Sequence, residues 1–316
     1  AAAEKAQTVH RLLEYNVTGE YGKNSEDLLE AQAVIVDEAS MLDISLFYHL
    51  LCALKDGARL ILVGDIDQLP PVGAGEPLKD LMSWGYVPIV RLKRIFRQEE
   101  GSGIVENAAL IRKGEMCVPD EAGEFRIVYA ADDEDAYRIV MDLCRELNYG
   151  NEENKMLLQV LSPMYRGVCG VDHLNESLQE MIHGEKVPDG MKFFPGDKVM
   201  QTRNDYEKGI YNGDVGTVWT ATPQKVFVRY FDKEVVYEGE ERFDLRLAYA
   251  VTVHKSQGSE YETVIFILRP SQHNMLQRNL LYTGVTRARK NTILVTAPDA
   301  LRRALAIQLT VYFFLF

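Results

Sequence analysis

Two carboxylate-bearing segments, each closing an apolar run, are the residues of this sequence best suited to chemistry. Val34-Ile35-Val36-Asp37-Glu38-Ala39-Ser40 ends a β-type run on two adjacent carboxylates, and Val63-Gly64-Asp65-Ile66-Asp67-Gln68-Leu69-Pro70 repeats the arrangement further on. In open α/β sheets ligands bind beyond the C-terminal strand ends. There Asp37 would hold Mg²⁺, directly or through water, and Glu38 would orient or deprotonate an attacking water. Gln68 can reach a γ-phosphate or its water. Such a set serves nucleoside triphosphate hydrolysis. Taken alone, the Asp-Glu pair reads equally as an acidic loop, and Gly-Asp followed by Pro-Pro as a turn. The recurrence of the pattern at two strand ends in this order favours chemistry.

The elements that must position these groups are legible as alternation. Ala33–Val36, Leu60–Val63 and Val87–Leu92 read as buried strands, and Ile44–Leu54 and Ile104–Arg112 as helices. Continuous apolar strands separated by helices predict an α/β fold with a parallel sheet covered on both faces. Asp132-Asp133-Glu134-Asp135 starts a helix to Leu147, its acids suiting the helix dipole. Asn148–Lys155 reads as a polar linker, after which Leu157–Leu161 opens a second alternating region. Between Phe194 and Asp244, turn signals such as Asn212-Gly213-Asp214 punctuate short β runs, the texture of a small antiparallel barrel. Thr263–Leu268 and Thr292–Val295 then return to buried-strand texture. The expected division is a first domain over 1–150 with a hairpin at 15–25, a second over 151–193 and 246–307, the barrel inserted at 194–245, and an atypical tail over 308–316.

The 316 residues suffice for more than one core, and 47% hydrophobic with 26% charged residues is ordinary for a globular protein. A net charge of -12 argues against a broadly basic nucleic-acid surface but permits a local groove that binds single strands by backbone contact and stacking. Cys52, Cys117, Cys144 and Cys169 form no CxxC pair and no zinc spacing, which points to free thiols in a reducing cytoplasm. No signal peptide opens the chain, and apolar Val311–Phe316 is too short to span a bilayer, so no membrane association is expected. Both ends read as cut.

The motifs together resemble those of superfamily-1 helicases of the RecD-like type. Asp37-Glu38-Ala39-Ser40 and Gly64-Asp65-Ile66-Asp67-Gln68-Leu69-Pro70 are similar to motifs II and III. Leu92-Lys93-Arg94-Ile95-Phe96-Arg97-Gln98 resembles motif IV, and Gly196-Asp197-Lys198-Val199-Met200-Gln201 with Asn204-Asp205-Tyr206 the inserted barrel. Tyr249–Glu260, containing His254-Lys255-Ser256-Gln257-Gly258, resembles motif V, and Leu281–Arg289 motif VI. The resemblance runs from Thr8 to about Leu305 and implies two RecA-like P-loop NTPase domains, with a small SH3-like β-barrel inserted in the second.

It further implies an ATP-dependent helicase moving on single-stranded DNA, 5′ to 3′, in repair or recombination, with ATP and Mg²⁺ as cofactors. Duplex junctions, and subunits of a recombination complex, are the implied partners. Arg97 and Arg287 would act as arginine fingers, Arg287 from the second domain, so that hydrolysis follows domain closure. Asp65, Gly258 and Glu260 would lie at the nucleotide, Glu260 near the ribose. DNA contacts are implied for Thr8, His10, Pro163, Tyr165, Asn204, Tyr206, His254 and Lys255, and the 15–25 hairpin would be either a strand-separating pin or a solvent loop. A histidine beside a strand is more often packed than functional, and Asn175 and Gln179 read equally as local packing. A conjugative relaxase-helicase shares these motifs.

The sequence departs from the family in two respects: Gln308–Phe316 is unlike the family's polar C-terminal stretch, and the P-loop is missing. It contains no GxxxxGK[ST]; Tyr21-Gly22-Lys23-Asn24 lacks both the first glycine and the Ser/Thr. In relatives that loop lies upstream of residue 1. The expectation is a truncated motor, with an incomplete first sheet, which binds single strands but hydrolyses ATP poorly.

Overall fold

Strand β1 (Ala33–Val36) and strand β2 (Arg59–Leu62) pair in parallel, with Val36 opposite Leu62, which brings both acidic segments to one sheet end. The computed structural model describes residues 6–16, 18–92, 101–188 and 190–307. They fall into two compact units, one within 1–93 and one within 94–308. The first unit also holds helices α1 (Val9–Leu12), α2 (Ile44–Cys52) and α3 (Pro77–Trp84). Asp43 caps α2 by accepting from the Leu46 amide, and Pro77 opens α3 where its missing N–H costs nothing. Val34, Val36, Phe47, Leu50 and Leu78 share one core.

Two expectations for this unit change. Among the described residues the sheet is covered on one face: Ile35 is 68% exposed, and Ile61 and Val63 are exposed too. A run apolar on both faces does not reveal what covers each. Val87–Leu92 forms no strand, and Val90 and Leu92 are exposed. Without a neighbour for its backbone, an apolar run has nothing to pair with.

The second unit begins with α4 (Gly103–Lys113), β3 (Phe125–Tyr129), α5 (Asp133–Glu146), α6 (Glu152–Leu157), β4 (Leu158–Ser162) and α7 (Val171–His183). Strands β5 (Lys198–Gln201), β6 (Val215–Ala221), β7 (Lys225–Arg229), β8 (Glu234–Glu238) and β9 (Leu245–Leu247) follow. Last come β10 (Ala250–Thr252), β11 (Tyr261–Leu268), α8 (Arg278–Val285), β12 (Ala288–Thr296) and α9 (Pro298–Ala306).

These make an all-parallel sheet in the order β10-β4-β11-β12-β3 and an antiparallel one in the order β8-β7-β6-β5-β9. The first is α/β; the second is the expected SH3-like barrel. The boundary expected at 150 does not coincide with the packing. β3 pairs with β12 from Phe125 to Tyr129, so α4, β3 and α5 lie in the second unit. Phe125–Tyr129 carries no strand reading in the sequence, so nothing there placed it with the second region. The expected linker Asn148–Lys155 contains the start of α6, capped by Asn151, with Lys155 buried.

A buried polar joint ties barrel to sheet. The Asp197 carboxylate, fully buried, accepts from Gln179 Nε2 (2.5 Å), His183 Nε2 (2.8 Å), Tyr249 Oη (2.8 Å) and the Phe194 amide (2.7 Å). Beside it Lys198 Nζ donates to Leu158 O (3.1 Å) and Gln159 Oε1 (2.9 Å). Asn175 exchanges two 2.9 Å bonds with the backbone of Ala250. Asn175 therefore satisfies the Ala250 backbone and Gln179 the Asp197 carboxylate, rather than facing a ligand.

Candidate functional site

The first unit holds the carboxylate site. Val63 donates to Val36 O and Ala39 to Val63 O, both at 2.8 Å, so the loop after β1 rides on the end of β2. Gly64 is required there. A Cβ on it would stand 2.8 Å from the Ser40 nitrogen and 3.1 Å from that of Ala39. Asp37 is exposed, its Oδ1 accepting the Glu38 amide at 2.8 Å. Glu38 is held in the left-handed region, φ 51° and ψ 38°. That conformation is strained for a residue with a side chain, and such strain concentrates at functional sites. Asp65 Oδ1 accepts the Asp67 amide at 3.0 Å, which fixes the second acidic loop.

A small cleft beside these ends is lined by Ser40, Gln68, Glu76 and Lys79 among others. Ser40 Oγ is buried with no hydrogen-bond partner, a polar atom facing a cleft that could hold a polar ligand. Among the described residues no group of three or more His, Cys, Asp or Glu side chains closes on a metal position. The carboxylates fit Mg²⁺ by donor chemistry, since Mg²⁺ takes one or two carboxylates and fills its sphere with water and phosphate oxygens.

The second unit carries the remaining motif residues. Gly258 adopts φ +75° with open space where a Cβ would stand, so its need is conformational. Arg287 is 2% exposed and donates from Nη1 to Ser259 O and from Nε to Thr283 O, both at 3.2 Å. Glu260 Oε2 accepts from Arg289 Nε at 2.7 Å. Gly258, Glu260 and Arg287 are thus brought together around the turn into β11. Arg97 lies outside the described residues.

The strand-contact residues of this unit divide. Lys255 Nζ donates to Asn212 Oδ1 (2.6 Å), the Asn212 amide to Asn204 Oδ1 (2.9 Å), and Asn204 Nδ2 to Tyr206 Oη (3.2 Å). One hydrogen-bonded run therefore joins Lys255, Asn204 and Tyr206, with Tyr206 53% exposed. Tyr165 is exposed, and the Arg246 guanidinium lies 5.7 Å from its ring centre. Burial lowers the Lys255 ammonium below its ordinary range and Arg246 adds to it; Lys192 is lowered likewise. These cations therefore crowd one region of an acidic chain. His254, half-buried in a 3₁₀ turn, is held toward its neutral form by burial. Pro163 is buried and can act only through the loop it shapes.

Arg246 is not singled out in the sequence reading, and Asn212 enters it only within the turn Asn212-Gly213-Asp214. The signal for Arg246 was the alternation Leu245-Arg246-Leu247, which turns the cation outward just before motif V. In the first unit Thr8 caps α1 through Oγ1, accepting the Arg11 amide at 3.2 Å, and His10 is exposed. The expected hairpin is a tight turn with one antiparallel bridge, Tyr15 to Tyr21. Burial pushes the Cys117, Cys144 and Cys169 thiols up to about 12, which keeps them protonated.

Comparison with known proteins gives three family matches in chain order. They are an AAA domain over residues 1–126, the SH3 domain of ATP-dependent RecD-like DNA helicases over 174–230, and a UvrD-like helicase C-terminal domain over 247–295. The chain is 38% identical over 307 residues to an ATP-dependent RecD2 DNA helicase of Deinococcus radiodurans, covering 96% of this chain and 41% of that protein. It is 31% identical to a RecBCD enzyme subunit RecD of Mycolicibacterium smegmatis, covering 96% and 57%. The chain thus spans about half the length of these curated relatives. Among solved structures it is similar to a Bacteroides Pif1 helicase in complex with ADP-AlF3 and ssDNA. There the TM-score is 0.58 and the identity 20%, over 94% of this chain and 80% of that one. That likeness bears on the fold.

Proposed function

The chain belongs to the RecD-like family of superfamily-1 DNA helicases, and from that premise we propose that it is the motor part of an ATP-dependent helicase that translocates 5′ to 3′ on single-stranded DNA in repair or recombination. The observation that carries this reading is the run Lys255–Asn212–Asn204–Tyr206 beside Tyr165 and Arg246. It offers cations for phosphates and flat rings for bases on a chain otherwise acidic, which suits sequence-independent strand binding. Duplex junctions, and recombination subunits such as those implied by the name of the RecD relatives, are its proposed partners, and the cytoplasm its proposed compartment.

ATP with Mg²⁺ would supply the transferable phosphoryl group and the charge of the metal. Asp37 is the proposed Mg²⁺ ligand, Glu38 orients and deprotonates water, and Asp65 and Gln68 contact the nucleotide end. Arg97 and Arg287 would offset charge on the transferring phosphate, Arg287 after releasing the carbonyls that now hold it. Gly258 and Glu260 shape the turn near the ribose. Thr8, His10, Pro163, Tyr165, Asn204, Tyr206, His254 and Lys255 remain the proposed strand contacts or their supports.

A second reading has its own observation. The sequence has no GxxxxGK[ST], and the backbone of that loop normally cradles the phosphates. We infer that this stretch by itself binds strands and turns over ATP poorly. Hydrolysis measured with and without a DNA oligonucleotide, on this chain and on a version extended upstream through a P-loop, separates the two. DNA-stimulated turnover in the extended version, abolished by Glu38→Gln, supports the motor. Inactivity of that version with both DNA and RNA overturns it.

A further inference from the structure

The two connections that join the barrel to the α/β part of the second unit run side by side. The chain enters the barrel through Asp197 and Lys198 and leaves it through Ala248 and Tyr249, and the Ala248 amide donates to Lys198 O at 2.8 Å. The two entry residues grip different elements. Asp197 takes Gln179 and His183 of α7, whereas Lys198 Nζ reaches Leu158 O and Gln159 Oε1 of β4. The exit is held as well. Gln159 Nε2 donates to Ala248 O (3.1 Å) and Tyr249 O (2.9 Å), Tyr149 Oη donates to Tyr249 O (2.6 Å), and Tyr249 Oη returns to Asp197. Gln159, Asp197, Lys198 and Tyr249 are all buried.

The proposed strand run has one wall on each side of this joint. Asn204, Tyr206, Asn212 and Arg246 belong to the barrel, and Tyr165 and Lys255 follow β4 and β10 of the α/β sheet. At the surface the walls are bridged by Lys255 to Asn212, by Arg246 over the Tyr165 ring, and by Arg246 to Asp172 at 3.9 Å. Arg246 and Asp172 are both more than half exposed, and exposed pairs stabilise little. The same cations are the ones that a strand's phosphates would take up, so binding spends the surface bridges. What still fixes one wall against the other is the buried joint. A buried polar network whose members are bonded to one another is rigid and specifies a single arrangement.

We propose that Asp197, Lys198 and Tyr249 are positioning residues for strand binding: they touch no strand, and they hold the barrel wall in place when Lys255 and Arg246 turn to the phosphates. The proposal rests on the strand-binding reading above. A groove set in advance does not pay for its own ordering when the ligand arrives, so the joint acts on affinity as well as on stability. If these residues did no more than pack an inserted module, their loss would lower stability and leave the affinity of the folded chain alone. The two roles also differ in how they combine with removal of the barrel wall, because placement of a wall matters only while the wall is there.

The test is binding of the whole chain to labelled oligo(dT), followed by fluorescence anisotropy at low salt and at a temperature where every variant is folded. Tyr249→Phe keeps the ring and removes one donor from Asp197. It should weaken binding by roughly 3- to 10-fold, the worth of one buried hydrogen bond. In a background that lacks the barrel wall, Tyr206→Ala with Arg246→Ala, the same change should cost less than about 2-fold, since coupled losses do not multiply. Equal affinity of Tyr249→Phe and the parent overturns the positioning role, and so does a loss that is as large in the wall-less background as in the parent. Should Tyr249→Phe fail to fold, hydrogen exchange of the parent decides. The Phe194 and Ala250 amides, bonded to Asp197 and Asn175, should be as protected with oligo(dT) bound as without it; faster exchange in the complex would mean that binding opens the joint, and the proposal fails. Failure of the parent to bind oligo(dT) at all overturns the strand-binding reading itself.

Discussion

Lys198 is a fully buried cation without a carboxylate among its bonded partners, and replacing it with methionine should change how stability depends on pH. Its Nζ donates to Leu158 O and Gln159 Oε1 and lies 5.7 and 5.6 Å from the ring centres of Tyr149 and Tyr261. Burial, with a smaller contribution from nearby Lys155, pushes its ammonium down to about 7. In the unfolded chain a lysine stays protonated up to about 10.4. Between these values the unfolded state binds about one more proton than the folded state, so stability rises with pH. The slope from this residue is about 1.4 kcal/mol per pH unit. From about pH 7 to about pH 9 the natural chain should therefore gain roughly 2–3 kcal/mol relative to Lys198→Met. The bonds that the variant loses cost the same at every pH and drop out of that slope.

Urea unfolding of the Trp84→Phe background makes Trp219, on β6 of the barrel, the sole tryptophan reporter. A stability difference between the two chains that stays flat across this window would mean that Lys198 remains protonated in the fold, and the reasoning from burial would be refuted.

Asp197→Ala should destabilise the second unit by about 3–5 kcal/mol, because it strips a buried acceptor from four donors at once; the urea midpoint followed by Trp219 measures it, and Asp197→Asn should lose less. Glu38→Gly should raise stability of the first unit by about 1 kcal/mol by relieving a left-handed residue, while abolishing ATP turnover in a P-loop-containing version. A calorimetric scan and a phosphate-release assay read these opposite directions. Gly64→Ala should destabilise by roughly 1–3 kcal/mol, since its methyl meets the Ser40 and Ala39 backbone amides as well as the Leu78 side chain; unchanged melting would mean the two acidic loops are not braced on each other.

How much of this was legible depends on what kind of signal a residue sends. Ala33–Val36 was read to the residue, and Ile44–Leu54 and Ile104–Arg112 came within a residue or two, because periodicity and caps are local. The barrel was legible because turn residues such as Asn212-Gly213 recur at short intervals. Sheet membership was not. Phe125–Tyr129 is not read as a strand from sequence at all, and its pairing with β12 over a long separation is what makes it one. Val87–Leu92 carries strand composition without a partner, and composition cannot supply one.

The site divides along the same line. Asp37, Glu38, Asp65 and Gln68 are legible because each follows a strand, and the parallel pairing of β1 with β2 turns two sequence motifs into one place. Tyr206, Asn204 and Lys255 were each named singly, yet what makes them a surface is Asn212, whose side chain accepts from Lys255 and whose amide donates to Asn204. An asparagine in an Asn-Gly turn reads first as turn chemistry, so its bridging role has no sequence signature. The buried joint goes further in the same direction. Gln179, His183, Asp197 and Tyr249 stand at unrelated spacings, and only the packing of α7 and the start of β10 against the entry to the barrel brings their side chains together. Chemistry that depends on neighbours in sequence is readable early; binding surfaces assembled from separate elements become visible only once the chain has packed.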